Sequence, residues 1–72
     1  MLVNLKYREF KKILARKNIS QNRFAIKIGV SSGYMSQLMS GIRNPSPDLR
    51  AKILVALKMG DSQFDEIFEL ND

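Results

Sequence analysis

Seventy-two residues make one domain, and a chain this short buries only roughly 60% of its unfolded surface. It contains neither cysteine nor histidine, which excludes a disulfide framework, a thiolate metal site and the commonest proton shuttle. The net charge of +5 hides an asymmetry: residues 1–60 carry all twelve Lys and Arg against two acids, Glu9 and Asp48, while residues 61–72 carry five acids and no base. A basic body with an acidic pole suits a polyanionic partner on one side; ordinary surface charge is the plainer alternative. No apolar run approaches the ~20 residues needed to cross a bilayer, so no membrane partner is expected. At the N-terminus, MLVNLKYREFKK, apolar residues come first and charges after, the reverse of a secretory signal. The chain therefore reads as a mature cytoplasmic protein.

In chain order, every apolar pattern has helical spacing and none alternates with period two. Phe10, Ile13 and Leu14 fall at i, i+3 and i+4, with Val3 and Tyr7 extending the stripe backward. This predicts a first helix over about 4–17, ended by Asn18 in a left-handed conformation. Ser20 is placed to cap a second helix over about 21–28, with Phe24, Ala25 and Ile28 inward. Gly29 then turns the chain by adopting positive φ, and Val30 plugs the turn. Ser31 caps a third helix over about 32–40, whose buried stripe is Met35, Leu38 and Met39, and Gly41 ends it. Two helices joined this tightly cannot lie side by side; they must cross steeply, and Ala25 is small enough to let the third pass close over the second.

GIRNPSPD is a loop, since Pro45 keeps Asn44 out of helical angles. Ser46 followed by Pro47 is a strong helix start, with Asp48 favoured by the helix dipole. Leu49, Ile53, Ala56 and Leu57 line a fourth helix over about 47–59, closed by Gly60. Asp61 or Ser62 would cap a fifth over about 62–70, with Phe64, Ile67 and Phe68 inward. The expectation is an all-α, five-helix single domain spanning 1–72. None of these helices would persist alone in water.

With its apolar stripe buried, the third helix presents Gly33, Ser36, Gln37 and Ser40 outward, flanked by Ser32 and Tyr34. No charge occurs from Ser31 to Gly41, although the chain is strongly basic. Short uncharged donors and acceptors are what a helix needs to approach base edges in a major groove. Ser32, Gly33, Ser36 and Gln37 are therefore the candidate base-reading residues. Gln37 can bond adenine through two atoms or donate to guanine. Gly33 either permits close approach to DNA or is a tolerated first-turn glycine. Gln21 and Asn22 open the second helix, where free N–H groups and the dipole favour a phosphate. Arg43 and Asn44 could hold the same backbone beyond the third helix. Ser31, Tyr34 and Ser40, at the margins of the reading face, complete the candidate phosphate set. Lys17, Arg23 and Lys27 are either supplementary phosphate contacts or solvated charges.

The stretch SQNRFAIKIGVSSGYMSQLMSGIRNPS resembles the helix-turn-helix of the Cro/phage-repressor (Xre-type) DNA-binding family. Gln21, Ala25, Gly29, Val30, Met35, Leu38, Gly41 and Arg43-Asn44-Pro45 carry the likeness, as do Phe10, Ile13 and Ile19 in the first helix region. It covers roughly residues 8–57. The resemblance implies a lambda-repressor-like five-helix fold, a homodimer on palindromic double-stranded operator DNA, and transcriptional repression in a bacterial or phage-encoded setting. It also implies phosphate binding by Gln21 and base-reading positions at Ser32, Gly33 and Gln37. Three features depart from the family pattern. Leu14 and Met39 stand where some phage repressors carry an Arg–Glu ion pair. KMGDSQ adds about three residues before the last helix. Ile26 replaces a usually charged surface residue.

Candidate dimer contacts are Met59, Phe64, Ile67, Phe68, Leu70 and the N-terminal Met1, Leu2 and Val3, which a core would equally need. A rival function is a protein-interaction module, such as an antitoxin or anti-repressor, using the acidic last helix or exposed apolar residues. No catalytic residues, metal or cofactor are expected. There is no Gly-rich phosphate loop and no carboxylate pair, and the acids of 61–72 read as a solvated face.

Overall fold

Among residues 2–71, which the computed structural model describes, five α-helices follow one another and a pair of short strands ties the chain ends together. Strand β1 (Leu2–Leu5) leads into α1 (Tyr7–Lys17), α2 (Gln21–Ile28), α3 (Ser32–Ser40) and α4 (Pro47–Ala56). A 3-10 turn (Asp61–Gln63) runs into the single-turn α5 (Phe64–Ile67), and β2 (Phe68–Asn71) comes directly after it.

The start signals at Ser20, Ser31 and Ser46 all operate as capping residues. Their hydroxyls accept the N–H groups of Arg23, Tyr34 and Leu49 at 3.1, 3.0 and 3.2 Å. The stops share one geometry. Asn18, Gly29 and Gly41 adopt positive φ, and the residue after each donates its N–H back to a carbonyl of the last helical turn. This satisfies carbonyls that a helix end otherwise leaves free.

Helix α4 ends differently from expectation. It stops at Ala56, and Lys58 rather than Gly60 takes the left-handed position, at φ 58°. Lys58 N donates to Val55 O at 3.0 Å and Met59 N to Leu54 O at 2.9 Å, which folds the half-buried Met59 onto the core. Burial of Met59 thus imposes a backbone conformation that a lysine would not choose alone. Gly60 is extended, and the side chain of Gln63 accepts its N–H at 3.0 Å, so neither Asp61 nor Ser62 caps the terminal helix.

The largest departure lies at the termini. The first helix begins at Tyr7, not near residue 4, and the last helix is one turn rather than a run over 62–70. Residues 2–5 and 68–71 instead pair antiparallel, with Val3 opposite Leu70 and Leu5 opposite Phe68. Val3 and Leu5 point inward and Leu2 outward, an alternation of period two confined to four residues. Phe68 leaves the helix at φ −124°, ψ 146° and is buried as a strand residue. Lys6 N continues the ladder to Ile67 O at 2.7 Å, and Lys6 Nζ donates to Asp65 O at 2.8 Å.

One apolar core joins these elements. Phe10 and Phe24 meet edge-to-face with ring centroids 5.0 Å apart, an arrangement favoured by the ring quadrupoles. Met35, Leu38 and Met39 fasten α3 beneath them, with Ile53 from α4, Leu57 just past its end, and Ile67 and Phe68 from the terminal segment. Leu14 and Met39 both lie in this core, so apolar packing replaces an ion pair without the desolvation cost of buried charge.

Candidate nucleic-acid interface

The corner between α2 and α3 is three residues long. Gly29 turns at φ 77°, Val30 N donates to Ala25 O at 3.0 Å, and Ser31 is already the cap of α3. Ala25 is buried at the contact side of α2, and Met35 and Leu38 hold α3 from within. With those positions fixed inward, Ser32, Ser36 and Ser40 form an exposed row at i, i+4 and i+8, with Gly33 exposed beside them. Neither Ser36 nor Gln37 is packed into the interior, and α3 carries no charged residue.

Gln37 is half-buried because its neighbours engage it. Its carbonyl accepts Ile42 N at 3.1 Å, Arg43 N at 3.3 Å and the Ser40 hydroxyl at 3.1 Å. Its side-chain Oε1 accepts Arg43 Nε at 2.7 Å. The Arg43 guanidinium lies over the Tyr34 ring, 4.9 Å from its centroid, within cation–π range. Tyr34, Gln37 and Arg43 thus form one connected group. All three are expected near the duplex from the sequence, but the bond from Arg43 to Gln37 is not apparent in it. The available signal was Gly41: a left-handed residue there folds the chain back, so that position i+6 meets position i.

The loop that carries Arg43 and Asn44 is anchored. Pro45 is buried, and Arg50 Nη1 donates to its carbonyl at 3.1 Å. Asn44 itself is exposed. At the start of α2, the Ser20 hydroxyl takes Arg23 N–H and the Ser20 carbonyl takes Phe24 N–H. The N–H groups of Gln21 and Asn22, first in the helix, have no acceptor within it. Gln21 is half-buried and Asn22 exposed. Ser31 Oγ accepts the Tyr34 N–H and keeps its hydroxyl proton to donate.

Charge completes the picture. Among the described residues the one ion pair within 4 Å is Glu9–Lys12, at 3.5 Å and exposed. The other bases of the body are not neutralised by carboxylates of the described residues. The acids Asp61, Asp65, Glu66 and Glu69 are exposed around the terminal segment; Asp72 lies outside the described residues. An open groove of about 710 Å³ lies between α2 and α4, where Ile26 and Val55 are exposed, and no residue of α3 lines it.

A family model described as helix-turn-helix matches residues 10–62, most of the chain. The chain belongs to the Cro/C1-type helix-turn-helix family. It is a DNA-binding regulator of helix-turn-helix type, with double-stranded DNA as its partner class. The matched span takes in α2, the Gly29 turn and α3 as well as the packing of α1 and α4 around them. The terminal strand pair lies outside it. This helix-turn-helix family is typically non-enzymatic. No curated protein matches the chain, and no helix among the described residues is long and apolar enough to cross a membrane.

Proposed function

We propose that this helix-turn-helix protein is a sequence-specific repressor that acts by occluding its operator, with α3 in the major groove. The observation that carries the reading is the uncharged face of exposed Ser32, Gly33 and Ser36 and half-buried Gln37 on a helix whose opposite side is locked into the core. A helix face of short donors and acceptors fits base edges, which present both. Gln21 and Asn22 at the start of α2 and Arg43 and Asn44 in the anchored loop serve the phosphates on either side. Ser31, Tyr34 and Ser40 supply further backbone contacts. Phosphate contacts set register and affinity, whereas base contacts set sequence preference. A domain of this size suffices to block a promoter, so occlusion is the simplest route to regulation in the bacterial or phage-infected cytoplasm.

The test separates the two classes of contact. Gln37→Ala should lose discrimination at one base position by ~1–3 kcal/mol, while Gln21→Ala weakens all sequences alike. Both are read by binding titrations on a site selected from random duplex DNA, repeated across salt concentrations. Affinity should fall steeply with salt as counterions are released. An unchanged preference in Gln37→Ala removes α3 from the groove.

The protein is further proposed to bind as a homodimer, reading two half-sites roughly 34–36 Å apart. Ile67, Phe68 and Val3 are buried in the core, and Met1 lies outside the described residues. Leu2 and Leu70, 59% and 51% exposed on the terminal strands, are the apolar side chains of that segment left to meet a partner copy. Sedimentation equilibrium with operator duplex should show two chains per site, and Leu2→Glu with Leu70→Glu should reduce this to one. A single chain on a complete wild-type site would end the dimer proposal.

A further inference from the structure

The side chain of Arg43 can only donate hydrogen bonds, because a guanidinium has no acceptor. Its Nε contact at 2.7 Å therefore fixes which end of the Gln37 amide faces it: the oxygen. The amide NH2 must then face the other way. Three further contacts hold this arrangement. Arg43 is stacked on Tyr34, its own N–H donates to the Gln37 carbonyl, and the loop behind it is pinned by Arg50 on Pro45. The side chain of Gln37 is thus oriented before any DNA arrives.

An unconstrained glutamine reads adenine by pairing its oxygen with N6–H2 and its amide with N7. Here that oxygen already accepts a short, charge-assisted bond, and its remaining lone pair lies in the field of the cation. The adenine N6 amine, itself a donor, would approach a guanidinium that repels it. Guanine presents two acceptors, N7 and O6, at the same edge. The Gln37 NH2 and the Arg43 Nη groups together offer donors only, under a positive charge.

We propose that Arg43 is a specificity-determining positioning residue, which turns Gln37 from an adenine reader into a guanine reader. Resting on the placement of α3 proposed above, it gives Arg43 a role that the phosphate assignment does not: it acts on base choice through Gln37.

The test selects bound sites from random duplex DNA with the wild-type protein, Arg43→Ala, Arg43→Lys and Gln37→Ala, each checked by circular dichroism. Arg43 is exposed, so these variants should retain the fold. Wild type should select guanine at the position that Gln37→Ala makes indifferent, with about tenfold discrimination over adenine. Arg43→Ala should move that position toward adenine and leave the other selected positions alone. Arg43→Lys keeps the charge and a donor but not the planar fork stacked on Tyr34, and should recover affinity with only part of the guanine preference. Adenine selected by wild type at that position overturns the proposal. So does an Arg43→Ala protein that binds every sequence more weakly with its preferences intact. If Gln37→Ala changes no preference at all, the placement of α3 fails first and this inference with it.

Discussion

The α2–α3 corner and the terminal strand pair are both small, tightly built and tied to one core, yet they are organised in opposite ways. The corner is made from neighbours. Its cap, its turn and its buried stripe lie within twenty residues, and each signal acts on the next: Ser20 starts α2, Gly29 stops it, Ser31 starts α3. The strand pair is made from strangers. Leu5 and Phe68 face each other across nearly the whole chain. The corner leaves an outward face free for a duplex, and the strand pair spends its backbone hydrogen bonds on itself. Local signals therefore build the part that is expected to read DNA, and long-range pairing closes the body that supports it.

The largest effect that would break this comparison is in the core beneath the corner. Phe24 is fully buried against Phe10, and Phe24→Ala should cost about 3–5 kcal/mol in denaturant unfolding. Leu5→Ala, in the strand pair, should cost about 2–3 kcal/mol, the low end of the range for a buried leucine at a sheet margin. At temperatures where both remain folded, Leu5→Ala should keep the wild-type base preference. If Leu5→Ala instead altered that preference, the two regions would not be separable as described.

A smaller pair of effects sharpens the contrast within the corner itself. A Cβ at Gly29 or at Gly33 would meet no heavy atom within 4 Å, so space does not distinguish them. Backbone conformation does: Gly29 sits at φ 77°, and Gly33 does not lie in the left-handed region. Gly29→Ala should destabilise by about 1 kcal/mol, and Gly33→Ala should stabilise by about 0.5–1 kcal/mol, in thermal or denaturant melts. A Gly33→Ala protein that is more stable but binds DNA at least tenfold more weakly would show that the glycine serves close approach to the duplex. Unchanged binding would make it a merely tolerated residue.

The same contrast explains what could be read from the chain. Helices α2 and α3 carry their own punctuation, and the caps at Ser20, Ser31 and Ser46 act where side-chain chemistry places them. The inward stripe of α3 is set by spacing alone. The strands are not. Four residues, LVNL, are too few for alternation to outweigh the helical spacing that Val3 and Tyr7 share with Phe10. Phe64, Ile67 and Phe68 do fall at helical spacing, but pairing with β1 pulls Phe68 out of the helix. Lys58 shows the same limit. Nothing in a lysine announces a left-handed residue; the buried side of Met59 after it demands one. At the candidate interface, the residue types and the exposure of Ser32, Gly33, Ser36 and Ser40 are legible, but the half-burial of Gln37 and its bond to Arg43 are not, because they need the return of the chain after Gly41.

The outward side of α3, together with the start of α2, is the surface proposed to meet the duplex. Amide chemical shifts recorded while the protein is titrated with a selected duplex test this residue by residue. Large changes are expected at Gln21, Asn22 and Ser32 to Ser40, and at Arg43 and Asn44, with Asp61, Asp65 and Glu66 nearly silent. Changes concentrated around those acidic residues, with α3 unmoved, would contradict it.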